Sequence, residues 1–562
     1  MRWSIKAQTD TSKVNELREA LQVPSIIAKL LVQRGVTTFD DAKRFFRPSL
    51  TELHDPFLMK DMDLAVARIN KAILNNERIL VFGDYDVDGT TAVALVSSYL
   101  KTLTQEVVTY IPDRYKEGYG VSYAGIDFAA DNDFSLIIAL DCGIKSIEHV
   151  DYAKTKNVDF IICDHHNPGD ELPQAVAVLD PKRNDCQYPY KELCGCGVGF
   201  KLIQALGKER GNTIEDFIPY LDLLATAIAA DIVPMTGENR ILAKFGMEVI
   251  NNNPRPGIKA LIEQVKKKSL TITDVVFVVA PRINAAGRIQ HGDYAVRLLT
   301  QFTLDEARKV AVEIELFNKE RRELDQGITE EALKMVKESG QVEKSATVVY
   351  SENWHKGVIG IVASRLIEKH YKPTIVFTKS GDTIAASARS VQGFDLYKAI
   401  ENCSEHLIQF GGHMFAAGMT CLPEKYEDFK AAFEEEVEKT ILPEQRESEI
   451  NIDLEIDFNE ITPKLVRLLN QFEPFGPGNM HPVFCSKNIK DSGYAKTLGA
   501  DDAHLKMFVS QSNSEKYNVI AFGQGEQLQR VKNQESFEMA YVIEENEWNG
   551  KVSTQLQARA IR

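Results

Sequence analysis

The stretch "ILVFGDYDVDGTTAVALV", residues 79–96, sets Asp84, Asp86 and Asp88 at alternate positions directly before Gly89. D-x-D-x-D-G is the opening of an EF-hand calcium loop. An EF-hand also needs a bidentate Glu at loop position twelve and a helix on each side. Counted from Asp84, that position is Leu95, and the apolar run before Asp84 is strand-like. The calcium-loop reading fails on both counts, which leaves a strand-to-helix turn crowded with carboxylates. Such groups repel one another and stay ionised together only where cations sit among them. Hard divalent ions such as Mg2+ and Mn2+ favour carboxylate oxygen, and Mn2+ also accepts imidazole.

More ligands of this kind follow along the chain. From residue 78, short apolar runs such as "RILVFG", "FSLIIAL", "VDFIIC" and "AVAVL" alternate with longer amphipathic stretches. This βα alternation predicts an α/β fold with a parallel sheet covered on both faces. The runs lead to Asp84, Asp141, Asp164 and Asp180. Ligands in open α/β sheets sit at the carboxyl ends of the strands, so an acidic rim is expected there. A simple turn or helix cap would also explain any one of these aspartates, and it fits Asp180, before Pro181, best. "CDHH" adds His165 and His166 at the same edge, and the apolar helix "LDLLATAIAA" ends at Asp231. A carboxylate at a helix C-terminus is electrostatically unfavourable. A metal partner would explain Asp231; so would simple exposure to solvent.

The remaining chain reads in blocks. Residues 12–75 are mainly helical. Residues 303–339 predict one helix about 50 Å long, opened by a Thr303–Glu306 capping box, closed by Gly340, and with Gly327 as a possible bend. "ATVVY", "TIVFT" and "TIAASARS" predict strands of a smaller α/β unit, with "KGVIGIVASRLIEKH" as its helix. Five or six short strands after residue 449 predict a small β-barrel. "CGCGVGFK" lacks the Walker "GK[ST]" ending and is read as a helix-packing segment rather than an ATP loop.

The 562 residues are 44% hydrophobic and carry a formal net charge of −15. An acidic chain argues against binding nucleic acid through its overall charge, though a local basic groove can still hold phosphates. The eight cysteines include no C-x-x-C pair, so zinc knuckles and thioredoxin-like redox chemistry are not indicated. The N-terminal stretch lacks a signal-peptide core, and no apolar run reaches the roughly 18–20 residues needed to cross a bilayer. A cytoplasmic protein without a membrane partner is expected.

Taken together, "DYDVDG", "ALDCGI", "CDHH" and "AIAADIVP" resemble the motifs of the DHH phosphoesterase superfamily. "HDPFLMKDMDLAVARI", "PRINAAGR", "WHKGVIGIVASRL", "SARS", "FGGHMFAAGMT", "EPFGPGNMHPVF" and "WNGKVSTQLQARAIR" extend the resemblance, in order, along the chain to the RecJ family within it. The resemblance implies a DHH domain with a helical N-terminal segment (1–302), a connecting helix (303–340), a DHHA1 domain (341–448) and an OB-fold (449–562). It implies a single-stranded-DNA-specific exonuclease that degrades DNA 5′→3′ to mononucleotides by two-metal hydrolysis, in repair and recombination. The alternatives are another DHH phosphodiesterase, of nanoRNase or cyclic-dinucleotide type, and a non-catalytic repair scaffold. The implied cofactor is two Mn2+ ions, with Mg2+ as the substitute. The implied metal ligands are Asp84, Asp86, Asp88, Asp141, His165 and Asp231. Asp141 would bridge the ions, and His166 and His413 would be catalytic partners. Arg114, Ser387 and Arg389 would hold the 5′-phosphate; Arg282, Asn284 and Arg288 would contact the DNA backbone. In the OB-fold, Phe472, Phe475, Phe484 and Trp548 are candidates for base stacking. A monomer working beside a helicase and a single-strand-binding protein is expected.

Overall fold

The apolar runs after residue 78 form a parallel five-stranded sheet, and their burial explains its pattern. The strands are β1 (Arg78–Gly83), β2 (Val107–Tyr110), β3 (Phe134–Leu140), β4 (Asp159–Cys163) and β5 (Ala177–Leu179), in the order β2-β1-β3-β4-β5. Along β1 every residue after Arg78 is buried, and β3 is nearly as apolar. Helices cover both faces of such a sheet, so its strands read as continuous rather than alternating hydrophobic runs. The helices that matter for the site are α1 (Val87–Leu100), α2 (Gly195–Lys208) and α3 (Leu221–Ala230).

This computed structural model describes every residue except Gln8, Asn513, Gln534, Glu535 and Asn549, and only the backbone of Trp548 and Lys551. The chain divides into two compact units. The larger contains Ser4–Gly287, His291–Ile314 and Asn451–Arg562; the smaller contains Met1–Trp3, Arg288–Gln290 and Glu315–Ile450. Helix α4 (Leu304–Glu338) begins in the larger unit and ends in the smaller. Thr303 caps its start, where the Oγ1 accepts the Glu306 N–H and donates to the Glu306 carboxylate, a side-chain variant of the expected box. It stays helical past Gly327 and stops before Gly340, which takes the left-handed conformation at φ 70°.

The smaller unit holds a second five-stranded sheet. Its strands are β6 (Thr347–Ser351), β7 (Thr374–Ser380), β8 (Thr383–Arg389), β9 (Gln409–His413) and β10 (Ala416–Cys421), ordered β9-β10-β8-β7-β6. Only β6 and β7 run parallel; the other pairs are antiparallel. The long helix is fixed to this unit by the fully buried Asp325, which Arg365 contacts at 2.6 Å.

In the larger unit the C-terminal strands form the barrel. These are β11 (Leu454–Glu455), β12 (Phe484–Asp491), β13 (Lys496–Leu498), β14 (His504–Gln511), β15 (Tyr517–Ala521), β16 (Phe537–Trp548) and β17 (Lys551–Ile561). The sheet order is β11-β12-β16-β17-β15-β14-β13, and a further β12–β14 pairing closes it. The core of the barrel (Phe458, Phe484, Met507, Val519, Tyr541) is continuous with Ile27, Leu30, Leu31 and Phe45 of the N-terminal helices. Two of the proposed stacking residues are corrected here. Phe472 and Phe484 are fully buried in this core and have no face to offer a base. Phe475 lies against the His481 ring, centroids 3.6 Å apart, and the Trp548 side chain lies outside the described residues.

Arg240 joins these parts. Its buried guanidinium donates to the carbonyls of Phe45, Phe472, Glu473 and Pro474 and sits 3.9 Å from the Phe45 ring centroid. Its donors go to carbonyls, and burial, the largest effect, pulls its pKa down to about 10. An Arg240→Met variant leaves several buried carbonyls unsatisfied, each costing roughly 1–3 kcal/mol. Urea unfolding should show a lower midpoint, by at least ~3 kcal/mol in stability.

Candidate metal centre

The carboxyl ends of β1, β3 and β4 and the C-terminus of α3 converge on one acidic cluster. Asp86 is the N-cap of α1: its Oδ1 accepts the Gly89 N–H at 3.0 Å. Asp88 lies in the first turn of the same helix. Gly89 is glycine for a packing reason, since a Cβ there would sit 2.4 Å from the Asp84 carbonyl oxygen. Asp84 and Asp141 are buried at the ends of β1 and β3, and Asp141 takes the left-handed conformation at φ 59°. His165 follows β4, and Asp231 caps the C-terminus of α3.

Three sets of side chains could each hold an ion, Asp84–Asp86–Asp141, Asp88–His165–Asp231 and Asp141–His165–His166, with the donor atoms of each set within 4.8 Å of one another. His165 Nε2 lies 3.2 Å from Asp141, 3.7 Å from Asp231 and 3.9 Å from Asp88, which ties the sets together. At 3.2 Å the His165–Asp141 pair still lacks hydrogen-bond alignment, and Asp141 Oδ1 is left without a partner. Asp84 Oδ1 and Asp231 Oδ2 are also buried and unpartnered. Lone pairs that aim at a common point but not at each other are what a cation requires of its ligands.

The electrostatics agree. Burial first, then the neighbouring carboxylates, raise the pKa values of Asp84 and Asp141 well above the usual range and push Asp231 up to about 8. Asp88 is raised by burial and Asp86, against the opposing charge of His165. Burial lowers His165 and favours the neutral imidazole that ligates metals. The set of carboxylate oxygens with one imidazole suits Mn2+ and Mg2+.

Asp164 has a separate task. Its Oδ1 accepts the His165 N–H at 2.7 Å and lies 2.7 Å from His166 Nδ1; its Oδ2 accepts the Ile144 N–H. Against the effect of burial, these bonds hold Asp164 down at about 2 and His166 up at about 9. His166 is half exposed, and its Nε2 lies 3.2 Å from the Tyr119 hydroxyl. Arg114 stacks over Tyr85 at 4.8 Å, and its charge reaches Asp84.

The glycine segment "CGCGVGFK" does more than pack a helix. Gly195 N–H and Cys196 N–H, at the start of α2, donate to the two oxygens of Asp88 at 2.6 and 2.8 Å. A Cβ on Gly195 would sit 2.5 Å from Asp141 Cβ. The contact spans 107 positions of sequence, so no local pattern announces it.

In the smaller unit, Ser387 and Arg389 face the same way from β8, alternating with the buried Ala386 and Ala388. Arg389 Nη1 donates to Ser387 Oγ at 3.1 Å. Gly360, at the start of the helix Ile359–Lys369, approaches both so closely that a Cβ would lie 2.9 Å from each. A hydroxyl, a guanidinium and a helix N-terminus together favour an anion. His413 is exposed at the β9–β10 turn, where its Nδ1 accepts the Phe415 N–H. Gly412 in this hairpin has φ 145°. Arg282 and Asn284 are half-buried in the helix Ala280–Ile289, with Arg282 donating to the Val278 carbonyl. Arg288 belongs to the smaller unit and donates to the Gly357 carbonyl.

Three family matches cover most of the chain: the DHH family N-terminal domain at residues 78–228, the DHHA1 domain at 343–439 and the RecJ OB domain at 452–560. The single-stranded-DNA-specific exonuclease RecJ of Bacillus subtilis is 37% identical, over 100% of this chain and 70% of its own length. The protein of the same name from Dickeya dadantii is 33% identical over 96% of each chain. The crystal structure of RecJ from Thermus thermophilus in complex with Mn2+ is 28% identical, with a TM-score of 0.86 over 100% of this chain and 79% of that one.

Two predictions follow from the geometry. Gly195→Ala should displace Asp141 and weaken Mn2+ binding at least tenfold by calorimetric titration, with secondary structure unchanged by circular dichroism. In the metal-free protein, the His166 resonances should titrate near pH 9, and near 6.5 in Asp164→Asn. His166 is raised by folding and Asp164 is lowered. The pair's contribution to stability is therefore complete between about pH 4 and 6.5, is lost as pH rises through about 9, and is lost as pH falls through about 2.

Proposed function

The chain belongs to the RecJ family of the DHH phosphoesterases, and on that premise we propose that it hydrolyses single-stranded DNA from the 5′ end to mononucleotides with two divalent ions, Mn2+ or Mg2+. The observation that carries this reading is the group of ligand sets tied through His165, with buried carboxylate oxygens left unpartnered. Asp84, Asp86 and Asp141 would hold one ion and Asp88, His165 and Asp231 the other, with Asp141 between them. When bound, such ions lower the pKa of water and offset charge on a phosphate.

The chain's own groups supply the rest. Protonated His166, oriented by Asp164, presents its Nε2 edge beside Tyr119, where it can donate to a phosphate oxygen or to the departing 3′ oxygen. Asp164 thus serves as a positioning residue. Ser387 and Arg389 carry phosphate-binding chemistry, supported by the helix start at Gly360; in this reading they hold the 5′-phosphate, with Arg114 as a further guanidinium for the same group. Arg282, Asn284 and Arg288 are assigned to the strand's backbone, and His413 to a polar contact with the reacting nucleotide.

A single-strand-specific nuclease needs a duplex opened ahead of it, so a helicase and a single-strand-binding protein are its natural partners in repair and recombination. No helix among the described residues is long and apolar enough to cross a membrane. In this reading the enzyme meets its DNA in the cytoplasm.

The test is digestion of end-labelled strands with Mn2+. Mononucleotides should be released from the 5′ end of a long 5′-phosphorylated strand, and a duplex of the same sequence should persist. Preferred turnover of dinucleotides would assign the chain to another phosphodiesterase activity. Asp141→Ala should lower kcat by at least 10³-fold and leave the thermal midpoint of the metal-free protein the same or higher, since it removes a buried, repelled carboxylate. Arg389→Lys should reduce the preference for a 5′-phosphate about tenfold or more, because an ammonium cannot bind phosphate in two-pronged fashion.

A further inference from the structure

A polar cavity of about 710 Å3 is lined by residues that include Asn167, Lys182, Arg183, Asn184, Gln187 and Lys191. Its position follows from the sheet. Strands β4 and β5 are neighbours in register, Cys163 opposite Leu179, and the Asp164 N–H donates to the Leu179 carbonyl at 3.0 Å. The chain leaving β4 therefore carries His165, His166 and Asn167 alongside the chain leaving β5, which carries Asp180, Pro181 and Lys182. The cavity opens one residue past His166. Its volume falls within the range of small-molecule pockets.

The cations of this cavity are not equivalent. Arg183 is neutralised by Asp61 at 2.6 Å and Asp185 at 2.8 Å. Lys191 donates to the Cys186 carbonyl at 2.8 Å, and among the described residues its ammonium meets no carboxylate within ion-pair distance. Lys182 is half-buried, and its backbone N–H caps Asp180 at 2.7 Å. Among the described residues its ammonium meets no carboxylate within ion-pair distance. Its charge is nonetheless felt at Asp231, His165 and Asp180. Glu192, on the cavity wall, is the opposing charge there. A half-buried lysine whose charge reaches the carboxylate cluster, in a cavity also lined by amide side chains, is equipped for a phosphate.

We infer that this cavity is a nucleotide-phosphate subsite, with Lys182 as the contact to the phosphate next to the scissile one and Lys191 and the amides completing it. The inference rests on the nuclease reading above. The same chemistry could come from the continuing strand or from the released 5′-mononucleotide, and the two differ in what they do to kinetics. Each strand phosphate contacted by a cation contributes about −0.7 to the slope of log affinity against log salt.

The experiment uses the full-length enzyme with Mn2+ and a 5′-phosphorylated oligothymidylate, measuring kcat/KM from low to moderate KCl and inhibition by thymidine 5′-monophosphate. For Lys182→Gln the salt slope should become shallower by about 0.7, with kcat within a fewfold of wild type, and Lys182→Arg should restore it. Lys191→Gln gives an independent reading of the same cavity. A slope that is unchanged while the inhibition constant for the monophosphate rises severalfold assigns the subsite to the product phosphate. No change in either quantity overturns the subsite. So does a collapse of kcat with the slope and the inhibition constant both unchanged, since Lys182 would then serve the metal carboxylates alone. Wild-type enzyme that leaves the DNA intact overturns the nuclease reading instead, so the two failures are distinguishable.

Discussion

Mutual repulsion among Asp84, Asp86, Asp88, Asp141 and Asp231 is the constraint around which the larger unit is built. Water would separate these carboxylates; the fold holds them together, burying Asp84, Asp88 and Asp141, and leaves several oxygens without partners. What offsets the repulsion before any cation arrives is backbone N–H chemistry. Asp86 caps α1, Asp88 receives two N–H groups from the start of α2, and Asp164 collects N–H groups from Ile144 and His165. Helix N-termini present positive potential at these points. The parallel sheet is the device that brings them together, because every strand of such a sheet delivers its carboxyl end to one edge and every following helix begins there.

The close approach this demands explains the glycines at the site. Gly89 lets α1 lie against the Asp84 backbone, and Gly195 lets α2 reach both Asp88 and Asp141. A side chain at either position would displace a carboxylate rather than merely fill space. The chain's charge of −15 therefore says little about its affinity for nucleic acid. Local arrangements can carry phosphate-binding chemistry in a chain that is acidic overall, as the Ser387–Arg389 pair beside Gly360 does.

The sheet was legible in the sequence because β1 and β3 are buried on both faces and read as unbroken apolar runs. The cluster was legible because its carboxylates and histidines stand at the ends of those runs. The hairpin β9–β10 was not, since "FGGHMFAAG" has glycine where strands normally show branched residues, and pairing with β8 supplies what the sequence preference lacks. The Asp88–Gly195 contact was invisible because its partners are far apart along the chain. The aromatic candidates failed for a different reason. Phe472 and Phe484 look like any other phenylalanine near a barrel, and only the packing of the N-terminal helices against that barrel decides that they face inward. Nothing local in residues 12–46 points to that partner.

The backbone around the centre carries strain of a telling kind. Asp141 sits at φ 59°, a region aspartate tolerates, and Ile232, directly after Asp231, sits at φ 59°, a region a β-branched residue avoids. Each such conformation costs on the order of 1–3 kcal/mol and persists only where surrounding structure over-determines it. The first is itself one of the clustered carboxylates and the second directly follows one, and the sheet alone would not aim either carboxylate at His165. At Asp141 the turn follows a backbone bond from its N–H to the Cys163 carbonyl, which locks the end of β3 to β4. At Ile232 the reversal ends α3 abruptly, with Asp231 still turned towards the cluster. Strain of this kind fixes ligand positions in the protein before a metal binds. The free energy of metal binding is then not spent on assembling the site, and repelling carboxylates remain together in a fold that no cation has yet neutralised.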